Sequence, residues 1–195
     1  MHSSKNIVVI ALAVLLIGSF NLTGNSDKPA EIKKYDNFSL YDFNNTLHSL
    51  NEFSDKEGIV LMFISTKCPV SNAYNSRMAS LHQKFGEKFS FVGINSNKQE
   101  NVAEIKKHSE NNKLNFVILK DSSNVIADKF SASVTPEIYV LNNNLELLYQ
   151  GRIDDSRKED NVQELDLSNV LGEILEGKKI SIAKTKAFGC SIKRK

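Results

Sequence analysis

The hydrophobic positions of the chain alternate between strand-like and helix-like patterns. A continuous apolar run over Ile59–Ile64 is typical of a strand buried on both faces, and Phe89–Ile94 predicts another strand. Between these runs, apolar residues recur at helical spacing from Val70 to Phe85, and Gly86 is suited to end that helix. The order of strand, helix and strand indicates a βαβ unit, whose crossover is right-handed in nearly all proteins.

Segments on either side extend this unit. Phe38–Asp42 and Thr46–Leu50 alternate apolar and polar residues around a pair of asparagines, which predicts an N-terminal β-hairpin. Downstream of the βαβ unit, Asn97 is expected to cap a second helix, with Glu100 three residues later in its first turn. The apolar segment Asn115–Leu119 then predicts a third strand of the central sheet.

The last part of the predicted domain combines a short helix, a hairpin and an amphipathic helix. The pattern favours the short helix over Val125–Phe130. The strands Glu137–Leu141 and Leu145–Tyr149 flank Asn142–Asn144, and asparagine tolerates the positive φ of a hairpin turn. Apolar residues at helical spacing predict a final helix over Leu167–Gly177. The whole pattern predicts an α/β fold with a mixed central sheet, helices on both faces and an N-terminal β-hairpin.

The N-terminal residues form a targeting segment. Lys5 precedes an apolar run over Ile7–Phe20, which is too short for a spanning helix of about 20 residues and fits the core of a signal peptide. Residues 1–24 are therefore predicted to be a signal peptide or, if uncleaved, a membrane anchor. Residues 25–36 are predicted to be a linker, 37–177 the domain and 178–195 a basic tail. In either case the domain is exported to the periplasm or cell envelope.

Composition and charge narrow the classes of function. The 195 residues are 41% hydrophobic and 25% charged, which is ordinary for a globular protein and excludes a disordered chain. A formal net charge of +2 is too small to indicate a nucleic-acid binder. The charge is uneven, because residues 178–195 carry seven lysines and arginines and no acidic residue. A basic tail therefore follows an acidic domain.

Cys68 is the leading candidate for a reactive side chain. It follows the central strand and precedes Pro69, which suits the first position of a helix and makes Cys68 the predicted N-cap. Ligands of open α/β sheets bind at the carboxyl ends of strands. A helix N-terminus stabilises a thiolate, and the neighbouring Lys67 adds a positive charge. We therefore predict that Cys68 is a nucleophile rather than an inert buried thiol.

The second candidate feature is the Thr135–Pro136 dipeptide, which lies between the short helix and a predicted strand. Proline cannot donate a hydrogen bond to a sheet, so Pro136 begins the strand or lies in a turn. A cis bond at such a strand entrance is plausible, and an ordinary trans proline at an edge strand is the alternative.

Cys-Pro at the first core helix and Thr-Pro before the penultimate strand together resemble the thioredoxin fold. The N-terminal hairpin resembles the redoxin branch, the alkyl hydroperoxide reductase and thiol-specific antioxidant superfamily, and in particular a group of exported redoxin-domain proteins. The matching stretches are Thr66–Tyr74 with Arg77, Phe91–Ser96, Val117–Asp121, Val134–Glu137, Gly151–Asp155 and Thr185–Ile192. The resemblance implies a thioredoxin-like fold. It also implies a cis Thr135–Pro136 bond close to Cys68, with Thr135 and Pro136 forming the binding site for an extended substrate peptide.

The departures from the family pattern leave the reaction open. Thioredoxins have a second cysteine three positions after the first, where this chain has Ser71. Peroxiredoxins have a threonine three positions before the cysteine and a proline further upstream, whereas Thr66 lies two positions before Cys68 and that proline is missing. Thr66 and Lys67 are therefore retained only as supporting residues. Arg77 is left out of the predicted catalytic set, and Asp154-Asp155 is interpreted as a solvated structural loop.

Two hypotheses follow for the function. The first is a thiol-dependent oxidoreductase in which Cys68 attacks a disulfide or a peroxide, with an external thiol as reductant. The second is a binding module in which Cys68 is vestigial. No cofactor is predicted. No metal site is predicted either, because the histidines at 2, 48, 82 and 108 are scattered.

Cys190 is the only other thiol, in the basic tail 122 residues after Cys68. It is either an idle exposed cysteine or a resolving one. An idle exposed thiol is a liability in an oxidising compartment, and the basic tail has an electrostatic reason to dock on the acidic domain. The residues between Gly177 and Cys190 are long enough to reach Cys68. We therefore predict that Cys190 resolves oxidised Cys68 by forming an intramolecular disulfide.

Overall fold

The computed structural model describes residues 32–194. The predicted signal segment 1–24 and the first part of the predicted linker, 25–31, lie outside these residues. The strands are β1 Ser39–Tyr41, β2 Leu47–Ser49, β3 Ile59–Phe63, β4 Ser90–Asn95, β5 Val117–Lys120, β6 Val134–Thr135, β7 Glu137–Leu141, β8 Leu147–Gly151 and β9 Cys190–Ser191. The helices are α1 Pro69–Asn72, α2 Asn75–Phe85, α3 Val102–Asn111, α4 Val125–Phe130 and α5 Asp166–Leu175.

The central sheet has five strands in the order β5-β4-β3-β7-β8. Strand β3 pairs in parallel with β4 and antiparallel with β7, so the sheet is mixed, as predicted. The predicted N-terminal hairpin is also present, because β1 and β2 pair antiparallel. The carboxyl end of β3 leads directly into the loop before α1, which places Cys68 at the centre of one sheet edge.

Alternating side chains of β3 contribute to two separate hydrophobic cores. Val60 and Met62 belong to one core together with apolar residues of α2, α3 and α5. Leu61 and Phe63 belong to the other core, together with residues of α4 and of the N-terminal segment. Because successive side chains of a strand point to opposite faces, this division confirms that helices cover both faces of the sheet.

The helix predicted from Pro69 to Phe85 is interrupted. It forms two pieces, α1 and α2, separated by Ala73 and Tyr74. The backbone N–H of Tyr74 donates to Ser71 O at 3.0 Å, a tighter i→i−3 bond than in an α-helix. The Tyr74 side chain is buried, and its hydroxyl donates to Asp154 at 3.0 Å. The hydrophobic spacing does not reveal the break, because Tyr74 and Met78 face the same core in either case.

The predicted start of the second helix is wrong. Asn101, rather than Asn97, is the N-cap of α3, and its side chain forms a reciprocal capping box with Glu104. Asn97 and Glu100 precede the helix and are buried in contacts with other segments. Both Asn97 with Glu100 and Asn101 with Glu104 have the spacing of a capping box, so the sequence offered two equivalent starts.

The turn of the β7–β8 hairpin differs in its backbone geometry from the prediction. The residue with positive φ is Leu145, at φ 61°, rather than one of the asparagines. Asn142 contributes through its side chain instead, since its Oδ1 accepts from the N–H groups of Asn144 and Glu146, both at 2.9 Å.

Both segments that flank the predicted domain pack against it. In the predicted linker, Tyr35 is buried, and Leu147 donates its N–H to Lys33 O at 2.8 Å. In the predicted tail, β9 pairs with β6 and Ile192 joins the second core. The folded unit therefore extends beyond 37–177 at both ends. Within residues 32–194, no helix has the length and apolar character needed to cross a bilayer.

Candidate active site

Cys68 lies where the sequence predicts it, between β3 and α1. It is the N-cap of α1, with Pro69 as the first helical residue. The N–H of Ser71 donates to Cys68 Sγ at 3.3 Å, so the residue that replaces a second cysteine contributes its backbone to the sulfur. Cys68 is only 3% exposed. A backbone N–H that donates to the sulfur at a helix N-terminus favours a thiolate in the reduced protein.

Cys68 is bonded to Cys190. The two Cα atoms lie 5.8 Å apart, which is within the ordinary range for a disulfide, although 122 residues separate the cysteines in sequence. The tail therefore reaches Cys68, as predicted, and Cys190 is not an idle exposed thiol. Neither cysteine of the protein is free in this state.

The Thr135–Pro136 peptide bond is cis, which confirms the prediction. The carbonyl oxygen of Thr135 lies 3.4 Å from Cys68 Sγ, so the two predicted features meet at one site. The backbone edge of β6, however, is not open. It pairs antiparallel with β9, placing Thr135 opposite Cys190 and Val134 opposite Ser191. The chain's own tail occupies the edge that we expected to bind a substrate peptide.

Contacts on the C-terminal side of Cys190 fix the tail further. Ile192 is buried and donates its N–H to Ser133 O at 2.9 Å. The N–H of Lys193 donates to Asn97 Oδ1 at 2.9 Å, and Lys193 O accepts from Lys98 at 3.0 Å. These contacts hold β9 without relying on the disulfide.

A second attachment lies on the N-terminal side of Cys190, at Thr185 beside strand β8. The N–H of Thr185 donates to Gln150 O at 2.9 Å, and its hydroxyl accepts from the N–H of Arg152 at 3.0 Å. The Tyr149 hydroxyl lies 2.7 Å from Thr185 Oγ1, and burial raises the pKa of Tyr149 to about 12. Gly151 leaves the space for this contact, because a Cβ there would overlap Thr185.

Gly189 is the residue whose size controls how closely the tail approaches Cys68. A Cβ at this position would overlap the carbonyl oxygen of Thr135, which is a backbone atom and cannot rotate away. We expect Gly189→Ala to slow formation of the Cys68–Cys190 disulfide by roughly tenfold, because overpacking costs about 1–3 kcal/mol and 1.4 kcal/mol is a factor of ten. The measurement is the rate of thiol loss after addition of one equivalent of oxidant to the reduced protein.

Gly172 in α5 provides the control for this substitution. A Cβ at Gly172 would meet no atom within 4 Å, so Gly172→Ala should leave the rate of disulfide formation unchanged. Equal rates for Gly189→Ala and the wild type would show that the approach of β9 to β6 does not limit bond formation.

The two supporting residues, Thr66 and Lys67, contact neighbouring groups rather than the sulfur. The Lys67 ammonium lies 3.0 Å from Glu104 and donates to Gln99 O at 2.7 Å. The hydroxyl of Thr66 is buried without a hydrogen-bond partner, and its N–H donates to Glu100 at 2.7 Å. The structure thus places both beside Cys68 but gives neither a direct contact with the sulfur.

Sequence reasoning missed Glu137, which supports the Thr135–Pro136 loop. Its buried carboxylate accepts from the N–H of Ser133 at 2.9 Å, the hydroxyl of Tyr139 at 2.9 Å and the side chain of Gln150 at 3.1 Å. Burial, together with the Glu137 charge, holds the pKa of the Tyr139 hydroxyl far above its usual value, so it remains a donor. The sequence shows an acidic residue directly after Pro136, but it does not show which residues Glu137 contacts, because most of them lie in other segments of the chain.

Arg77 and Asp154 form a buried ion pair at 2.6 Å. The interpretation of Asp154 as part of a solvated loop is wrong, since it is 1% exposed. Arg77 also donates to the backbone carbonyls of Ser156 and Arg157, both at 2.8 Å, and lies over the ring of Tyr74. Burial and the charge of Asp154 raise the pKa of the Tyr74 hydroxyl. The pair therefore ties the break between α1 and α2 to the loop after β8.

An open cavity of about 310 Å³ lies beside the disulfide. Its lining includes both cysteines together with Ser65, Asn97 and Glu100. No group of three metal-ligating side chains is present among residues 32–194. The chemical groups at the cavity are thus the sulfurs, hydrogen-bonding side chains, the buried Glu100 carboxylate and two lysines, Lys67 and Lys193.

Similarity to known proteins agrees with this geometry. An uncharacterised protein from Sinorhizobium meliloti 1021 is 26% identical, with a TM-score of 0.78 over 84% of this chain and 94% of its own. A peroxidoxin from Mycobacterium tuberculosis is 17% identical, with a TM-score of 0.58 over 74% and 96%. A secreted disulfide oxidoreductase from the same organism, homologous to E. coli DsbE, is 20% identical, with a TM-score of 0.51 over 56% and 79%.

The last two structures share the thioredoxin-like fold with this chain, which confirms the predicted fold class. No curated protein matches the sequence significantly. The model of the AhpC/TSA family matches residues 32–150, which is more than half of the sequence. A thioredoxin-like fold, a cysteine at the helix N-terminus and a family match of this length lead to one conclusion: the chain belongs to the AhpC/TSA family.

Proposed function

We propose that the protein is a thiol–disulfide oxidoreductase of the cell envelope that cycles between the Cys68–Cys190 disulfide and a dithiol. One observation carries the proposal: Cys68, at a helix N-terminus and 3.4 Å from the Thr135 carbonyl, is bonded to the only other cysteine of the chain. A helix N-terminus stabilises the thiolate that such chemistry requires. Dithiol–disulfide conversion moves two electrons and needs no cofactor.

The reductive half of the cycle follows from the positions of the sulfurs. The Cys68 thiolate attacks one sulfur of a substrate disulfide, forms a mixed disulfide and expels the other sulfur as a thiolate, which takes a proton from water. The Cys190 thiolate then attacks Cys68 Sγ and expels the second substrate sulfur. The substrate gains two electrons and two protons, and the protein is left as the disulfide seen here.

In the recovery half of the cycle, the external reductant attacks Cys190 rather than Cys68. Cys68 is 3% exposed beneath the tail, whereas Cys190 is partly exposed. An external dithiol therefore attacks the Cys190 sulfur and expels Cys68 as the thiolate, which the N–H of Ser71 stabilises. The second thiolate of the reductant then attacks the mixed disulfide at Cys190. The reductant leaves as a disulfide, and both cysteines of the protein are restored as thiols.

Peroxide reduction is the second candidate, and membership of the AhpC/TSA family favours it. In that reaction the Cys68 thiolate attacks a peroxide oxygen, becomes a sulfenic acid and releases water or an alcohol. Cys190 then condenses with the sulfenic acid and releases water. The Arg77 terminal nitrogens are not available to polarise a peroxide, since their donors are directed to Asp154 and to backbone carbonyls. Disulfide exchange is therefore the better supported of the two reactions.

Export is part of the proposal and rests on the sequence. The apolar segment Ile7–Phe20 after Lys5 is typical of a signal peptide or N-terminal anchor. A secreted disulfide oxidoreductase with the same fold is consistent with such a location. An oxidising compartment would also sustain the Cys68–Cys190 bond between turnovers.

The test compares the wild type with Cys68→Ser in two assays, one for reduction of a protein disulfide and one for consumption of hydrogen peroxide, each with a dithiol reductant. We expect Cys68-dependent disulfide reduction and its loss in Cys68→Ser. Cys68-dependent peroxide consumption without disulfide reduction would instead establish the second candidate. If neither assay responds and the Cys68 thiol titrates near the free-thiol value of about 8.5, the chain is a binding module.

A further inference from the structure

Glu100 is a buried carboxylate that the proposed cycle does not use. It is 3% exposed and lies in the segment between β4 and α3. Its oxygens accept from the Ser65 hydroxyl at 2.5 Å, the Thr66 N–H at 2.7 Å and the Asn95 amide at 2.6 Å. Ser65 Oγ in turn accepts from the Cys68 N–H at 3.0 Å. The carboxylate is therefore two hydrogen bonds from the Cys68 backbone, and both residues line the same cavity.

No lysine or arginine among residues 32–194 forms an ion pair with Glu100. Lys120 is a half-buried cation of β5, and its ammonium donates to Asn95 Oδ1 at 3.0 Å and Asn97 O at 2.7 Å. Burial lowers the pKa of Lys120, and Glu100, Asp121 and Glu104 oppose that shift. The positive charge of Lys67 is directed to Glu104.

The other charged and titratable groups around this segment have hydrogen-bond partners of their own or lie on the solvent side of the cavity. Asp121 accepts from Ser96 and from the first N–H groups of α4. Burial lowers the pKa of His108 against an opposing effect of the Glu100 charge, and the His108 ring hydrogen-bonds to Asn75. Lys193 of the tail lines the cavity from the solvent side. The hydrogen bonds to Glu100 thus come from neutral donors, and its charge lies at the cavity that Cys68 also lines.

We propose that Glu100 is a positioning residue that lowers the reduction potential of the Cys68–Cys190 pair, by holding the loop before Cys68 and by repelling the Cys68 thiolate. This inference rests on the proposed function and identifies a residue that sets the reduction potential of its cysteine pair. The disulfide carries no charge, whereas the reduced protein carries a thiolate at high pH. A nearby negative charge therefore favours the disulfide over the reduced form and makes the dithiol a stronger reductant.

The electrostatic effect has a characteristic dependence on pH. Below the pKa of the Cys68 thiol, the reduced form is uncharged, and Glu100 discriminates little between the two redox states. Above that pKa, the reduced form carries the thiolate and the full repulsion applies. Removal of the charge should therefore shift the redox equilibrium at high pH and leave it nearly unchanged at low pH. A loss of packing or of tail docking would instead shift the equilibrium similarly at every pH.

The experiment measures the equilibrium of Glu100→Gln with glutathione buffers. We expect the equilibrium constant for reduction of the disulfide to rise threefold to tenfold at about pH 8.5, where tenfold corresponds to about 30 mV, and by less than about twofold at pH 5.5. In the Cys190→Ser background, the midpoint pH for alkylation of Cys68 should fall by about 0.5–1 unit when Glu100→Gln is added. Both are measurements on the thiols alone, so they stand whether or not disulfide turnover is found.

Two carboxylate variants serve as controls. Glu104→Gln removes an exposed charge from the neighbouring helix, and solvent screening should keep its equilibrium close to that of the wild type. Glu100→Asp keeps the charge and should stay nearer to the wild type than Glu100→Gln does. If Glu100→Gln does not fold, Lys120→Met tests the same field with the opposite sign, and its equilibrium constant should fall at high pH. A shift that is equal at both pH values, or no shift, would overturn the proposal.

Discussion

Reduction of the Cys68–Cys190 disulfide is expected to lower the free energy of unfolding by about 5 kcal/mol, because the bond closes a loop of 122 residues in the unfolded chain. Without the bond the unfolded ensemble gains conformational freedom, while the contacts of β9 with β6 remain in the folded state. The measurement is denaturant unfolding of the wild type with and without a strong reductant, with each free energy of unfolding taken from its own midpoint and m-value.

The cysteine variants provide the controls. Cys190→Ser should unfold like the reduced wild type, and the addition of reductant should not change its midpoint. If the wild type unfolds at the same denaturant concentration in both redox states, the loop-closure account of the disulfide is wrong. A large redox difference would also mean that the dithiol form is the less stable intermediate of the cycle.

Asp154→Ala is the second substitution for which we expect a large effect. It removes the partner of Arg77 in a buried ion pair and leaves the guanidinium without its carboxylate. Breaking such a pair costs about 3–5 kcal/mol, because one charge stays buried and uncompensated. The loss should appear as a lower denaturant midpoint. Because the pair anchors the break between α1 and α2, alkylation of Cys68 in the reduced variant should also accelerate.

The neighbouring Asp155 offers a matched control. Its carboxylate accepts backbone hydrogen bonds at the surface, so Asp155→Ala should change stability little. Replacement of both members of the pair, as in Arg77→Met with Asp154→Leu, should recover part of the lost stability, because no unpaired charge remains. Equal losses for the Asp154 and Asp155 variants would show that the Arg77 contact contributes nothing specific.

The fold was predictable from the sequence because its signals are local. The apolar run of β3, the Cys68-Pro69 helix start and the short helix α4 each depend on consecutive residues, and the structure has all three where they are expected. The start of α3 was not predictable, because two asparagines have the same capping spacing. Glu100 lies outside the helix because its carboxylate binds Ser65 and Thr66 in the loop before Cys68, and these contacts are not evident from the local sequence.

The candidate site also contains features that the sequence predicts and features that it does not. Cys68 follows from a short motif, the cis Thr135–Pro136 bond from the resemblance to the thioredoxin fold, and the reach of Cys190 from chain length. The carboxylates of Glu100 and Glu137 have no such signature, because their partners come from other parts of the chain. The occupation of the β6 edge by β9 is equally non-local. The strand edge that was expected to bind a substrate peptide is paired with another segment of the same chain, and no local sequence pattern predicts that pairing.

The attachment of Thr185 beside β8 limits how far the second sulfur can travel. Only four residues separate Thr185 from Cys190, so with Thr185 in place Cys190 would stay within about 17 Å of Thr185 even if β9 left β6. Such a short tether holds one thiol near the other at an effective concentration in the millimolar range or above, whatever the concentration of protein. Exchange between the two cysteines would then proceed at a rate that dilution does not change. Any partner that receives electrons from this protein must come to the rim of the Cys68 site, because the tail is too short to deliver them elsewhere.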